Sequence, residues 1–498
     1  MSLSANFPTT RPSLLLDFVN SGQMDPRITF SRASGATWFN SAGTLIGVDA
    51  SSSSLTVGTG QQTLTLAATA GVDRGWIVGT SVLLSASTVT NTMTGVVVSY
   101  TASTQVLVVN VASVVGSGTY STWQVSNLMP RFDYNPSTLA AQGLLIEESR
   151  TNSIRNNTMV GAVAGTPGTL PTNWAVSGLG TLTQQVVGTG TSNGVTYIDV
   201  RFSGTTSTTQ TTVRLEANNV IAAANGQTWT QSSWTAMVGG STSNITQIGL
   251  STLLWDSGGS FLGSIPFPSG FVANTTSSLI RVTPSGTIAT VGTAFAQPQI
   301  YLTFASGVAI DVTLRIGLPQ LEQGAFATSV IPTTTTALTR AADVASVNTL
   351  SPWYNATEGT LYAQGILVGG TAATFPRQAA LVGSNVNDDT IDILWNAPSG
   401  VISCGVRTGG ATQMSQGSAP AKSAGSTFKA AVAYKTNDAN NASDGNVGTT
   451  DTTVTLPTVQ SLRIGGQAVF QPTASSWIQR IAYYPTRLSN AQLQAITA

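Results

Sequence analysis

Histidine is absent from this chain, and that single absence removes several chemistries. Ser-His-Asp triads, Cys-His dyads, HExxH metal sites and imidazole acid–base catalysis are all excluded. Charge is scarce too: 20 acidic and 20 basic residues make up 8% of 498 positions and cancel. Lysine occurs only at Lys422, Lys429 and Lys435. No basic stripe exists to neutralise a phosphate backbone, so nucleic-acid binding is not expected. Cys404 is the lone cysteine, which excludes an intrachain disulfide. No run of about 18 apolar residues occurs, so no membrane span is expected. The opening MSLSANFPTT lacks a basic segment followed by an apolar one. Synthesis in a cytoplasm without a secretory signal is therefore the expectation.

What remains is Ser, Thr, Gly, Ala and Val, with hydrophobic residues at 41%, enough to exclude general disorder. Thr and Val are β-branched and stiff at χ1, which favours strands. Long Leu/Glu/Lys/Ala helical patterns are nearly missing. The fold class is therefore read as all-β and multidomain, because the chain is too long for one core. A small β-barrel or sandwich module and two larger jelly-roll-type β-sandwiches are expected.

Residues 1–48 and 128–152 share a style and read as one discontinuous N-terminal unit; Ile28-Thr29-Phe30-Ser31 alternates as a short strand. Residues 49–127 differ, with strand-like alternation recurring roughly every ten residues. They read as a small β-domain inserted at an exposed loop of that unit. Residues 153–332 carry the candidate strands of a first large sandwich. PTTTTALTR (332–340) reads as a low-complexity stretch, and 333–345 as the linker. Residues 346–498 form a second sandwich ending in SNAQLQAIT, where Ser489 begins a Ser-x-x-Gln capping box for a short helix.

GLLIEESRTN, Gly143 to Asn152, places two glutamates and an arginine side by side in a chain poor in charge. Leu144-Leu145-Ile146 is strand-like, and on a strand the neighbours Glu147 and Glu148 point to opposite faces. They cannot share a glycosidic bond as a catalytic pair does. Glu148 and Arg150, at i and i+2, share a face, so the stretch reads as a structural Glu–Arg clamp, with no catalytic residue assigned. NVNDDTID (Asp388, Asp389, Asp392) and NDANNASDGN (Asp438, Asp444) are read first as turns. Oxygen-rich turns also suit Ca²⁺, which makes these five aspartates candidate ligands. No cofactor is expected. Tryptophan faces stack on sugar rings while nearby amides and hydroxyls bind sugar OH groups. Trp255, followed by DSGGS, and Trp395, followed by NAPSG, run straight into loops and are the candidate exposed platforms; Trp229, Trp234, Trp353 and Trp477 are read as core.

Several stretches together resemble a modular family of tailed-bacteriophage and prophage virion proteins. RPSLLLDFVNSGQMDPRITFSRASGATWFNSAG, PRFDYNPSTLAAQGLLIEESRTN and LPQLEQGAFATSVIPTTTTALTRAAD carry that resemblance. SLTVGTGQQTLTL…GSGTYSTWQVS resembles a β-module shared among phage tail and fibre proteins. LPTNWAVSG…VTYIDVRFSGT is similar to a carbohydrate-binding-module-like sandwich. EGTLYAQGIL…FKAAVAYKT…SWIQRIAYYPTRLSNAQLQAI is similar to concanavalin A-like/laminin G-like domains. The resemblance implies a virion component of fibre, spike or decoration type. Its N-terminal unit would contact other virion proteins (capsid, neck or tail). Its sandwiches would bind a host surface polysaccharide, and the chain would assemble as a homo-oligomer, trimeric by analogy with fibres. Two alternatives stay open: a capsid- or tail-stabilising protein that binds no glycan, and a capsule depolymerase.

Overall fold

The computed structural model describes residues 11–68, 70–86, 90–265, 267, 278–369, 375–385, 387–397, 399–465 and 475–498; the opening MSLSANFPTT lies outside them. Strands take 53% of the residues and helix 3%, so the chain is a multidomain all-β protein. Every strand pair described is antiparallel, as short turns between sequential strands require.

The middle sandwich is two packed sheets. One runs Ala175–Ser177, Gln210–Arg214, Phe295–Phe304, Ile245–Trp255, Phe261–Ser264, with Ile221–Ala222 beside Phe295–Phe304. The other runs Thr183–Ser192, Val195–Thr205, Ala309–Gln323, Thr228–Gly240, Ile280–Val282, with Ser285–Thr287 beside Thr228–Gly240. Alternation does the sorting: Ala296, Ile300, Leu302, Leu250 and Leu254 enter the core against Val200 and Leu314, and their odd-numbered neighbours face out.

Residues 48–127 form a six-stranded sheet of their own around Leu64, Leu84, Val109 and Trp123. Its first and last strands, Val48–Ser51 and Trp123–Asn127, pair with each other, so entry and exit lie side by side.

The opening segments behave differently from the separate unit expected of 1–48 with 128–152. Leu14–Asp17 and Ala141–Ile146 both pair with Ser475–Tyr484, in an eight-stranded sheet that also holds Arg131–Tyr134, Glu358–Gly369 and Thr427–Lys435. Ile28–Ser31 pairs with Val344–Val347 at the edge of the facing seven-stranded sheet. Leu14, Leu16, Leu144 and Ile146 therefore share one core with Leu361, Phe428 and Ile478. Four-residue strands cannot bury a core alone; they gain burial by completing a larger sandwich. The expected 333–345 linker is also structured. Leu338–Arg340 pairs with Arg150–Asn152, and Thr333, Arg340 and Asp343 are buried.

The Ser489 capping box forms as read, and the Asn490–Thr497 helix lays Leu493 and Ile496 over Ala431, Ala433 and Tyr484. No helix among the described residues is long and apolar enough to cross a membrane.

Candidate functional site

The glutamates of GLLIEESRTN separate as alternation demands. Glu148 pairs with Arg150 on the outside of the turn, and Arg150 lies over the Phe326 ring at 4.6 Å. Glu147 turns inward to a fully buried ionic junction. Its carboxylate accepts from Arg131 Nη1 at 2.6 Å, Ser329 Oγ at 2.6 Å and Ser329 N at 2.7 Å. Arg131 also pairs with Asp343, which accepts from Arg32 Nη1 at 2.8 Å and from the Glu147 N–H at 2.9 Å. Arg340 stands 3.5 Å from Glu147 and donates to the Glu148 carbonyl at 2.6 Å. Four stretches distant in sequence thus meet at one point between the middle and C-terminal sandwiches. Burial pushes the Glu147 carboxyl up, but Arg340, Arg131 and Ser329 outweigh it and hold it near about 2. Arg131, Arg32 and Arg340 likewise hold Asp343 below its ordinary range against the opposing effect of burial. Both stay ionised and bonded, so the junction is a structural tie between segments.

Beside it, Asp133 accepts from Phe39 N and Trp477 Nε1, each at 2.7 Å, with no cation bonded to it. Burial pushes its carboxyl up to about 6.

The middle sandwich has two outer faces with opposite fates. The face of the sheet holding Thr228–Gly240 is docked. Trp234 meets Phe39 edge-on at 5.7 Å and packs with Leu45, Val195, Leu318 and Val330. The face of the sheet holding Phe295–Phe304 carries a different set. Along that strand the outward residues are Phe295, Gln297, Gln299 and Tyr301. Thr212 and Arg214 lie across from Tyr301 and Gln299 on one side; Gly249, Ser251, Leu253 and Trp255 lie across from Tyr301 through Phe295 on the other. Aromatic rings close both ends. Trp255 is half-buried and meets Phe261, 57% exposed, edge-on at 5.6 Å. Tyr301 lies across Gly249: a Cβ there would stand 2.7 Å from its hydroxyl oxygen and 2.8 Å from its ring. The six rises from Phe295 to Tyr301 make the floor roughly 20 Å long.

Several polar atoms of this floor have no partner among the described residues. Gln297 and Gln299 are 2% and 3% exposed, yet Oε1 of each has no partner among the described residues. Thr212 Oγ1, Arg214 Nε and Trp255 Nε1 are likewise unpartnered. Gln297 Nε2 donates to the Glu216 carbonyl at 2.7 Å, a bond only the amide nitrogen can make, so its oxygen is fixed as a waiting acceptor. The Glu216 carboxylate is occupied by Arg155, through Nη2 at 2.8 Å and N at 2.7 Å. Buried polar atoms without partners are costly in folded proteins; they occur elsewhere among the described residues too, at Gln184, Thr235, Gln378 and Ser476 for example, and five of them share this sheet face. That face offers donors and acceptors between two aromatic ends, the complement that hydroxyl-rich ligands need.

The sequence placed Trp255 here and missed its neighbours. A signal was present: in FAQPQIYLTF the sequence Phe295, Gln297, Gln299, Tyr301 alternates with Ala296, Pro298, Ile300, Leu302. Trp395 is corrected. It is 5% exposed and packs in the C-terminal core, because Ile391, Ile393 and Trp395 share the inward parity of their strand. Trp353, expected in the core, is there, as are Trp229 and Trp234; Trp477 is partly buried. Each aspartate considered for Ca²⁺ has a partner within the protein. Asp392 pairs with Arg377 at 2.7 Å, Asp438 with Arg487 at 2.9 Å and Asp444 with Lys422 at 3.0 Å. Asp388 binds Asn385, and Asp389 accepts from Gly409 N at 2.9 Å. Among the described residues no group of three or more His, Cys, Asp or Glu side chains is placed to hold a metal ion. SDGN is a hairpin turn with Asp444 and Gly445 both at positive φ.

No protein-family model matches the chain. No curated protein matches it either. Similar solved structures include the CBM40 of the Ruminococcus gnavus IT-sialidase bound to α2,3 sialyllactose, at 16% identity and a TM-score of 0.25, covering 29% of this chain and 84% of that one. Trypanosoma rangeli sialidase in complex with sialic acid is similar at 11% identity and a TM-score of 0.23, covering 62% and 61%. The N-terminal CBM22-1-CBM22-2 tandem of Paenibacillus barcinonensis Xyn10C is similar at 8% identity and a TM-score of 0.22, covering 66% and 99%.

Proposed function

We propose that this chain is a glycan-binding structural protein whose sugar site is the outer face of the middle sandwich around Trp255, Gln297, Gln299 and Tyr301. The observation that carries this reading is the coincidence, on the outer face of one sheet, of unpartnered buried donors and acceptors with flanking aromatic rings. The solved carbohydrate-binding modules named above are consistent with it but add no weight at their TM-scores. Sugar rings would stack on the aromatic ends, and their hydroxyls would complete the amide oxygens and the indole N–H.

The finer part of the proposal comes from the sequence resemblance. The chain would be a component of a bacteriophage particle, of fibre, spike or decoration type, contacting other virion proteins and presenting the sandwich to a host surface polysaccharide. Weak single contacts become effective in a homo-oligomer, since linked sites raise effective concentration. No bond cleavage is proposed: histidine is absent and Glu147 is bonded on both carboxylate oxygens inside the protein.

The test is a glycan array probed with the full chain and with Trp255→Ala and Tyr301→Ala. Binding by the wild type that falls at least roughly tenfold in each variant is expected, as loss of an aromatic platform in a binding site costs more than about 1.4 kcal/mol. Wild-type binding unchanged in both variants would move the site elsewhere. Release of new reducing ends from a host capsule by pure protein would overturn the non-enzymatic part.

A second reading keeps a specific observation. The inserted module exposes Ile77, Val78, Val96 and Val98, an aliphatic surface suited to protein contact. A protein that only stabilises an assembly would bind no glycan, and particles lacking it would disassemble at lower temperature.

A further inference from the structure

We infer that the outer face of the middle sandwich takes an extended, carboxylate-bearing glycan, with Arg214 as the residue that holds the carboxylate. This deepens the glycan-binding reading and rests on it. Arg214 is half-buried at the middle of the floor, in register with Gln299 and two residues along its strand from Thr212. Its guanidinium makes no hydrogen bond or ion pair among the described residues, and its Nε is shut off from solvent as well as from protein partners. Other arginines of the same sandwich are engaged: Arg155 by Glu216, Arg201 by Asp311, Arg315 by Asp199, and Arg281 through Nη1 and Nη2 by the Thr328 carbonyl and Ser232 Oγ, although Arg281 Nε is unpartnered as well. The nearest carboxylate in sequence, Glu216, is already held by Arg155 through its side chain and backbone N–H.

A half-buried guanidinium with a free Nε is costly unless an acceptor arrives. The acceptor that matches its planar fork is a carboxylate, which takes two parallel N–H···O bonds. The neighbouring groups bear on what carries that carboxylate. Gln299 Oε1, Gln297 Oε1 and Thr212 Oγ1 lie on the same floor and call for hydroxyl donors, which a sugar acid supplies from the same molecule. Aromatic rings at both ends, roughly 20 Å apart, call for a ligand longer than one ring. A free carboxylic acid or a lone sugar acid would leave one end empty.

The test uses the full chain on an array of neutral and carboxylate-bearing oligosaccharides of graded length, with each acidic hit repeated as its methyl ester. Arg214→Gln and Trp255→Ala are measured beside Arg201→Gln, which removes an equal charge from the opposite sheet. Arg214→Gln should melt with the wild type, since it breaks no bond. Expected is preference for acidic oligomers of three or more rings, a loss of roughly tenfold or more on esterification, the same loss in Arg214→Gln, and no loss in Arg201→Gln. Equal losses in Arg214→Gln and Arg201→Gln would reduce the effect to general charge and overturn the assignment. Binding of neutral glycans only, lost in Trp255→Ala but kept in Arg214→Gln, would overturn the carboxylate and leave the glycan site standing. Binding of no glycan by the wild type would sink both.

Discussion

Two regions of this molecule bury polar side chains, and they do it in opposite ways. At the junction, Arg32, Arg131, Glu147, Arg340 and Asp343 are removed from water and bonded to one another. On the outer face of the middle sandwich, Gln297, Gln299, Thr212 and Arg214 are also shielded, but atoms of each find no partner. The junction spends its polarity on tying four segments together. The face keeps its polarity in reserve. The difference lies in which groups go unmet: at the junction Arg131 Nε and Arg340 Nε lack a partner but both carboxylates are met by cations, whereas on the face the oxygens of Gln297, Gln299 and Thr212 find no donor among the described residues.

The largest expected effect lies at the junction. Arg131→Met removes the cation shared by Glu147 and Asp343 and leaves both anions under-compensated in a dry site. It should cost about 3–5 kcal/mol, read as a lowered midpoint in urea. A loss under about 1 kcal/mol would show the junction to be no tie at all. Trp395→Ala should cost a similar amount, about 3–5 kcal/mol, by emptying the C-terminal core. It should leave glycan binding untouched, whereas Trp255→Ala should do the reverse; the same pair of assays on both variants separates core from platform.

A pH titration comes next. Asp133 has a folded pKa raised to about 6 by burial, above its ordinary unfolded value. Its protonated form is favoured by folding, so its contribution is fully present below about pH 4 and is lost as pH rises through 6. The carboxyls of Glu147 and Asp343 are shifted downward, so their contribution is present above about pH 4 and lost only on stronger acidification. Stability should therefore rise from pH 7 to about pH 4.5 and fall below about pH 3. In Asp133→Asn most of the rise should be lost, what remains coming from Glu148, whose carboxyl is also pushed up by burial, and the fall should persist. A wild type that loses stability steadily from pH 7 downward would contradict this account. The smallest effect belongs to Ser489→Ala, which removes the side-chain bond to Gln492 N and should cost about 1 kcal/mol, seen as fraying of the C-terminal helix.

Much of the fold was legible before any coordinates. Ile28–Ser31 forms the strand its alternation announces, and Ser489 caps the helix its Ser-x-x-Gln pattern announces. The Glu148–Arg150 pair follows from i, i+2 spacing on extended chain. Other features were legible only in part. Trp255 and Trp395 both precede Gly- or Pro-containing loops, and local sequence treats them alike. Their strands differ in which parity meets the core, and one tryptophan ends outside and the other inside. The Phe-x-Gln-x-Gln-x-Tyr alternation of 295–301 was visible but gains meaning only once the even positions are known to face inward.

Composition and alternation were enough to settle an all-β, multidomain chain without imidazole chemistry, because β-branching and a period of two act on each residue through its immediate neighbours. Partnership was settled only in three dimensions. Arg131 reaches Glu147 across 16 positions but Asp343 across 212, and Arg32 reaches Asp343 across 311. No local pattern encodes such pairings, since a charge finds its partner through the packing of whole sandwiches. The same holds for the want of a partner at Arg214, which exists only because the folded neighbours that might have met it are already engaged.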